Sequence, residues 1–94
     1  MEVQRLRNVP RGFNLHWGGG AIVQEASAQT QHHEPCIQLL EFEDGSRSLR
    51  FCYYNHDGRF QRSPLIVSED AIEALREAVK ANPGIRDLIQ RLAN

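Results

Sequence analysis

Residues 36–67, CIQLLEFEDGSRSLRFCYYNHDGRFQRSPLIV, decide the fold of this chain. Two strand-like runs rich in aliphatic and aromatic residues are separated by Asp44-Gly45, and a third run follows Asp57-Gly58. Asp-Gly between such runs is a strong hairpin signal, because glycine adopts the positive φ of a tight turn without strain. The stretch therefore predicts three antiparallel strands, and a weaker run over residues 21–29 extends the prediction to four.

After residue 67 the spacing of apolar residues changes from alternation to every three or four residues, which predicts helices. Ser68 is followed by Glu69 and Asp70, which is typical of a helix start. Two apolar stripes at helical spacing follow, on either side of Asn82-Pro83-Gly84: Ile72, Leu75, Val79, then Ile85, Leu88, Ile89, Leu92. The predicted class is α+β, a four-stranded antiparallel sheet followed by a C-terminal helix and a second short helix.

Residues 1–20 are predicted to be an irregular basic arm, in which a short strand from Phe13 to Trp17 is left open, and residues 21–94 a single α+β domain. The arm carries Arg5, Arg7 and Arg11, and Gly18-Gly19-Gly20 reads as a flexible link.

Composition narrows the class of protein. The 94 residues are 40% hydrophobic and 24% charged with a formal net charge of -1, which is ordinary for a globular chain and gives no general attraction to nucleic acid. No apolar run approaches the roughly 20 residues of a membrane-spanning helix, and the N-terminal residues lack the apolar stretch of a secretory signal. Two cysteines do not make a disulfide framework. A cytoplasmic protein with no membrane role is expected.

The Asp44-Gly45 turn, taken as a two-residue loop, predicts the register of the central hairpin. Leu40 then lies opposite Leu49, and residues directly opposite share a face. One face collects apolar side chains for the helices to cover: Leu40, Phe42, Leu49, Phe51, Tyr53. The second face presents Ile37, Leu39, Glu41, Arg50, Cys52 and Tyr54. Cys36 and Cys52 fall on opposite faces, which predicts no internal disulfide.

An uncovered sheet face that is both apolar and charged has three possible uses. The first is that the face is simply exposed to solvent, and the second is that it forms a homodimer interface. The third is that it binds single-stranded nucleic acid, with bases stacked on Tyr54 or Phe60 and arginines neutralising phosphates. Ten of the eleven basic residues are arginine, which suits such stacking and bidentate contacts.

Other chemistry finds little support in the sequence. His32-His33-Glu34-Pro35-Cys36 is the densest group of metal-ligand types, but adjacent histidines on an extended chain point in opposite directions. Cys52 and His56 have no identifiable third group to orient them as a nucleophile and base. We expect no catalytic residues, no metal, no cofactor and no small-molecule substrate.

The order of elements over residues 36–80 resembles the positive-cofactor-four-like transcriptional coactivators. Arg50-Phe51-Cys52-Tyr53-Tyr54, the Asp57-Gly58 turn, residues 60–67 and the helix opened by Ser68 look like that family's third strand, turn, fourth strand and helix. The resemblance implies a homodimer that binds single-stranded DNA along its sheets. It implies contacts to nucleic acid by Arg47, Arg50, Tyr54, Arg59, Phe60 and Arg62. The chain departs from the family in having one lysine, Lys80, and in the helix break at Asn82-Pro83-Gly84.

The sequence thus predicts a non-enzymatic homodimer that binds single-stranded DNA or RNA through its sheet surface, with a role in transcription regulation. The basic arm and Trp17 are expected to assist. The alternative is a small homodimeric protein-interaction module that uses the same face without nucleic acid.

Overall fold

The predicted order, an antiparallel sheet followed by two helices, is confirmed in a computed structural model that describes residues 7–61 and 64–94. The strands lie side by side in chain order. They are β1 (Arg11–Leu15), β2 (Gly18–Ser27), β3 (Glu34–Phe42), β4 (Arg47–Tyr54) and β5 (Leu65–Ser68). One turn of 3-10 helix (Glu69–Ala71) leads into α1 (Ile72–Lys80), and α2 (Pro83–Ala93) follows. The fold is α+β.

The sheet has five strands, so the prediction of four is wrong by one. The extra strand is β1, which lies within the segment predicted as an irregular arm, and β2 begins at Gly18. Gly18-Gly19-Gly20 is therefore part of a strand and not a flexible link. A Cβ at Gly20 would lie 2.1 Å from the carbonyl oxygen of Glu41, so only glycine fits there. Gly20 pairs with Phe13 on one side and Phe42 on the other, and the two rings meet edge to face with centroids 5.1 Å apart.

The central hairpin closes with a three-residue loop, so the predicted register is wrong by one residue. The Phe42 N–H donates to the Ser46 carbonyl at 2.9 Å, and the Gly45 N–H donates to the Phe42 carbonyl at 2.9 Å. Gly45 has φ +88°, the left-handed conformation that ends this kind of loop. Leu40 pairs with Ser48 instead of Leu49.

A one-residue slip exchanges the faces of a strand relative to its neighbour. We call inner face the side of the sheet that carries Glu34, Cys36, Gln38, Leu40, Ser48, Arg50, Cys52 and Tyr54. We call outer face the side that carries Ile37, Leu39, Leu49, Phe51, Tyr53, Leu65 and Val67. Cys36 and Cys52 pair directly and share the inner face, so their predicted separation is wrong.

The sheet curls so that the inner face becomes an interior. Arg11 of β1 and Tyr54 of β4 are separated by three strand spacings, about 14 Å in a flat sheet. Their side chains nevertheless meet, with Arg11 Nη2 3.4 Å from Tyr54 Oη. An irregular register between Ile22 and Gln24 of β2 adds a bulge, which increases local twist and bending.

The helices do not supply the interior of this fold. No residue of α1 or α2 is buried, whereas Ile22 and Leu40 on the inner face are almost fully buried. Four of the buried residues are polar or charged: Glu34, Gln38, Ser48, Arg50.

Candidate interaction surfaces

The inner face holds a network of charged and polar side chains. The Arg7 guanidinium donates two hydrogen bonds to the Glu34 carboxylate, at 2.8 and 2.9 Å. The same guanidinium lies flat over the Tyr54 ring, 3.6 Å from its centroid. Such a bidentate pair with a stacked ring is a strong contact for arginine. It ties the segment before β1 to the inner face.

A second ion pair extends this network towards β4. Arg11 Nη2 lies 2.9 Å from Glu25 Oε2, and the Gln38 amide donates to the same carboxylate at 2.7 Å and to Tyr54 Oη at 3.1 Å. Arg50 Nε in turn donates to Gln38 Oε1 at 2.6 Å. Among the described residues, no buried side-chain nitrogen or oxygen lacks a hydrogen-bond partner. The network is thus satisfied internally.

The ion pairs shift the titration of both carboxyl groups. Hydrogen bonds from Arg7 hold the pKa of Glu34 below its ordinary value, although burial opposes this. Burial raises the pKa of Glu25, but the hydrogen bonds from Arg11 and Gln38 outweigh it, and the pKa lies below its ordinary value. Both groups are therefore ionised in the folded protein at neutral pH.

The two cysteines lie side by side on this face as free thiols. Burial raises the pKa of Cys36 to about 12 and also raises the pKa of Cys52. Since the thiolate is the reactive form, both side chains are poor nucleophiles.

The structure brings some of the predicted nucleic-acid residues together and separates others. Arg50 and Tyr54 are each 7% exposed and belong to the inner network. Phe60, on the loop after β4, is 40% exposed, and its ring is contacted by Arg50 at 4.8 Å and by Tyr54 at 5.4 Å. Arg59 is exposed beside it. These four residues form one corner of the molecule.

Arg47 and Arg62 do not join this corner. Arg47 lies at the opposite end of β4 and donates to the Glu69 carboxylate at 2.9 Å. Arg62 lies outside the described residues. Trp17 is exposed in the turn between β1 and β2, against the His16 ring at 4.7 Å.

The outer face is the apolar side of the sheet. Ile37, Leu39, Leu49 and Phe51 occupy its centre, and all four remain partly exposed. An open groove of about 630 Å³ crosses it between β2 and β5, lined by Ala26, Ala28, Ile37, Phe51, Tyr53, Leu65 and Leu92 among others. A second depression of about 340 Å³ includes Leu39, Leu49, Val67 and Ile72.

Both helices add exposed apolar side chains on this part of the molecule. Leu75 of α1 is 48% exposed. The stripe of α2 is exposed along its whole length: Ile85, Leu88, Ile89, Leu92. The structure therefore buries polar and charged side chains beside apolar ones, while many large apolar side chains stay exposed. Both features are uncommon in a folded domain.

Sequence reasoning identified the helix stripes and the exposed residues Arg59 and Phe60. It was wrong in placing Arg50 and Tyr54 on an open face, because both are buried in the inner network, which it missed. Its members Arg7, Glu25 and Glu34 lie far apart in the chain, and only the curl of the sheet brings them together. The available signal was the presence of two glutamates within or beside strand-like runs, where charged residues are uncommon unless paired.

Neither a metal centre nor a membrane helix is found in the described parts of the chain. Residues 7–61 and 64–94 hold no group of three or more His, Cys, Asp or Glu placed to bind one metal ion. Over the same ranges, no helix has the length and apolar character needed to cross a membrane.

Comparison with family models, curated proteins and solved structures gives no match to this chain.

Proposed function

We propose that this chain is a non-enzymatic protein-interaction module that works as a homodimer. The observation that carries the proposal is the apolar outer face together with the exposed stripes of α1 and α2. Monomeric proteins rarely leave contiguous apolar patches larger than a few hundred Å² in water, and larger patches mark interfaces.

The size of this surface supports a stable association. Seven large side chains of the outer face and helices are between 44% and 62% exposed: Tyr53, Leu65, Leu75, Ile85, Leu88, Ile89, Leu92. Their exposed parts equal nearly four complete side chains, and burying each complete side chain contributes about 1.5–3 kcal/mol. Each copy thus brings about 5–11 kcal/mol, and two copies bring twice that. Association itself costs about 4–15 kcal/mol, so the gain from burying these side chains in two copies is of the size that a dimer needs.

The test is a mass measurement in solution over a wide range of concentration. Light scattering or sedimentation equilibrium is expected to give twice the chain mass of 10.7 kDa. A mass of one chain at every concentration, up to hundreds of micromolar, overturns the proposal.

Binding of single-stranded nucleic acid is a second proposed function, supported by the corner at Phe60. The Phe60 ring is partly exposed and is held from behind by Arg50 and Tyr54, while Arg59 is free of any ion pair within the described residues. An exposed ring beside an arginine suits base stacking with phosphate neutralisation. In this version Arg50 and Tyr54 support Phe60 and do not touch the ligand. The resemblance to the coactivator family points the same way.

Fluorescence anisotropy of a labelled oligothymidylate, at low and at physiological salt, tests this second function. Binding is expected at low salt and weakens as salt rises, because phosphate contacts release counterions. Phe60→Ala removes one stacked base contact, about 1–3 kcal/mol or roughly 5- to 150-fold in affinity. Arg59→Ala weakens binding, whereas Arg76→Ala, which changes another exposed arginine, on α1, does not. Absence of binding at low salt excludes this function and leaves the interaction module.

A further inference from the structure

We infer that the groove of the outer face holds α2 of a second copy, so that two copies exchange their last helices. The inference rests on the proposed homodimer and specifies which surfaces meet. The groove is defined by Ala26 and Ala28 on one side, by Ile37 and Phe51 on its floor, and by Leu65 on the other side.

The shape of the groove suits a helix. From β2 to β5 the sheet spans three strand spacings, about 14 Å, and a helix with its side chains is about 10–12 Å wide. The small side chains of Ala26 and Ala28 make the groove shallow on its β2 side. Tyr53 and Leu65 are exposed elsewhere in its lining. A helix laid across these strands would bury all of them at once.

The chemistry of the groove selects an apolar occupant. None of the side chains that line it is Asp, Glu, Lys, Arg or His in the described part of the chain. A nucleic acid or a charged peptide would find no partner for its charges and would lose hydration on entering. An amphipathic helix brings an apolar stripe and keeps its polar side in water.

The α2 helix has this composition. Its apolar stripe is Ile85, Leu88, Ile89 and Leu92, and its opposite side carries Asp87 and Gln90. Asp87 pairs with Arg91 at 3.5 Å in open solvent, so the polar side needs no further partner. The stripe is the side without a partner.

Within one copy the groove and the stripe stay largely apart. Leu92 is the α2 residue that lines the groove, and Leu88 and Ile89 remain 60% and 46% exposed. A symmetric pair of copies makes the same helix-to-groove contact twice, which doubles the buried area for one geometry. A second copy therefore buries the groove of the outer face and the apolar stripe of α2 in the same contact.

Cross-linking between two differently tagged chains tests the arrangement. One chain carries Ala26→Cys and the other Leu88→Cys, and the mixture is treated with a short bismaleimide. A covalent heterodimer is expected, at least fivefold more abundant than in a mixture of Ala26→Cys with Gln90→Cys. Gln90 lies on the polar side of the same helix. Cys36 and Cys52 also line the groove, so a mixture of Leu88→Cys with an unsubstituted chain measures the background from the native thiols.

The outcomes separate the inference from the proposal it rests on. A dimeric mass without the Ala26–Leu88 cross-link overturns the helix exchange and leaves the homodimer in place. A chain carrying both substitutions that cross-links only within itself assigns the groove to its own α2 and also overturns the exchange. A monomeric mass overturns both.

Discussion

Replacing Leu88 by alanine is expected to weaken the homodimer by about 100-fold without unfolding either copy. The substitution removes three carbon atoms, worth about 0.8 kcal/mol each when buried, and Leu88 is 60% exposed in one copy. Each copy therefore loses about 1.4 kcal/mol of association energy, and the symmetric pair loses about 3 kcal/mol. A change of 1.4 kcal/mol is tenfold in Kd, which gives the factor of about 100. Alanine favours the helix, so α2 itself should persist.

Sedimentation equilibrium measures the Kd of both proteins, and circular dichroism below the Kd reports whether the single copy stays folded. Gln90→Ala is the matched control, because it shortens a side chain on the polar side of α2 and should change the Kd less than threefold. The reasoning is refuted if Leu88→Ala and Gln90→Ala have the same Kd. It is also refuted if Leu88→Ala unfolds the isolated copy, since a half-exposed residue contributes little there.

Three further predictions concern the sheet. Gly20→Ala should lower the free energy of unfolding by more than about 2 kcal/mol, because the new Cβ would overlap the Glu41 carbonyl oxygen. Gly84→Ala has no atom within 4 Å of its new Cβ, so it should leave the free energy of unfolding unchanged or raise it by about 0.5–1 kcal/mol. Urea unfolding of both variants measures the difference. Arg50→Met should lower the melting temperature, because it removes the donor to the buried Gln38 Oε1, at a cost of about 1.5–3 kcal/mol. Arg59→Ala should not lower it, and equal melting temperatures in the two variants would contradict this prediction. The hydrogen bonds from Arg7 lower the pKa of Glu34, which contributes stability that is complete above the unfolded value near 4.3 and is lost as pH falls through the lower folded value. Glu34→Gln should flatten the fall in stability below about pH 5 in acid titration, and an unchanged slope would count against the ion pair.

The order of elements could be predicted because each signal is local. Alternation over residues 36–54 and the two helical stripes need only neighbouring residues to be recognised. The first strand was missed because its pairing partner on β2 is Gly18-Gly19-Gly20, which has low strand propensity by itself. The need for glycine at position 20 comes from the two neighbouring strands, where the rings of Phe13 and Phe42 meet above Gly20.

The faces of the sheet could not be predicted from the turn alone. Asp44-Gly45 fits a two-residue loop with both residues at positive φ, and it equally fits the last positions of a three-residue loop with Gly45 at positive φ. The two choices differ by one residue and place Arg50 and Tyr54 with different partners. The inner network depends further on Arg7, whose contact with Glu34 exists only after the sheet has curled.

The joint between α1 and α2 has a consequence for how the proposed dimer responds to temperature. Asn82 has an extended backbone with φ −128° and ψ 90°, and its side-chain Nδ2 donates to the Ala78 carbonyl of α1 at 2.8 Å. In the described part of the chain no hydrogen bond joins α2 to the sheet, so swinging α2 away breaks none there. Release of α2 is then opposed chiefly by apolar contacts, whose strength falls on cooling. The assembly should loosen near freezing and tighten at growth temperature, so that cold, rather than heat or salt, becomes the gentlest means of separating its copies.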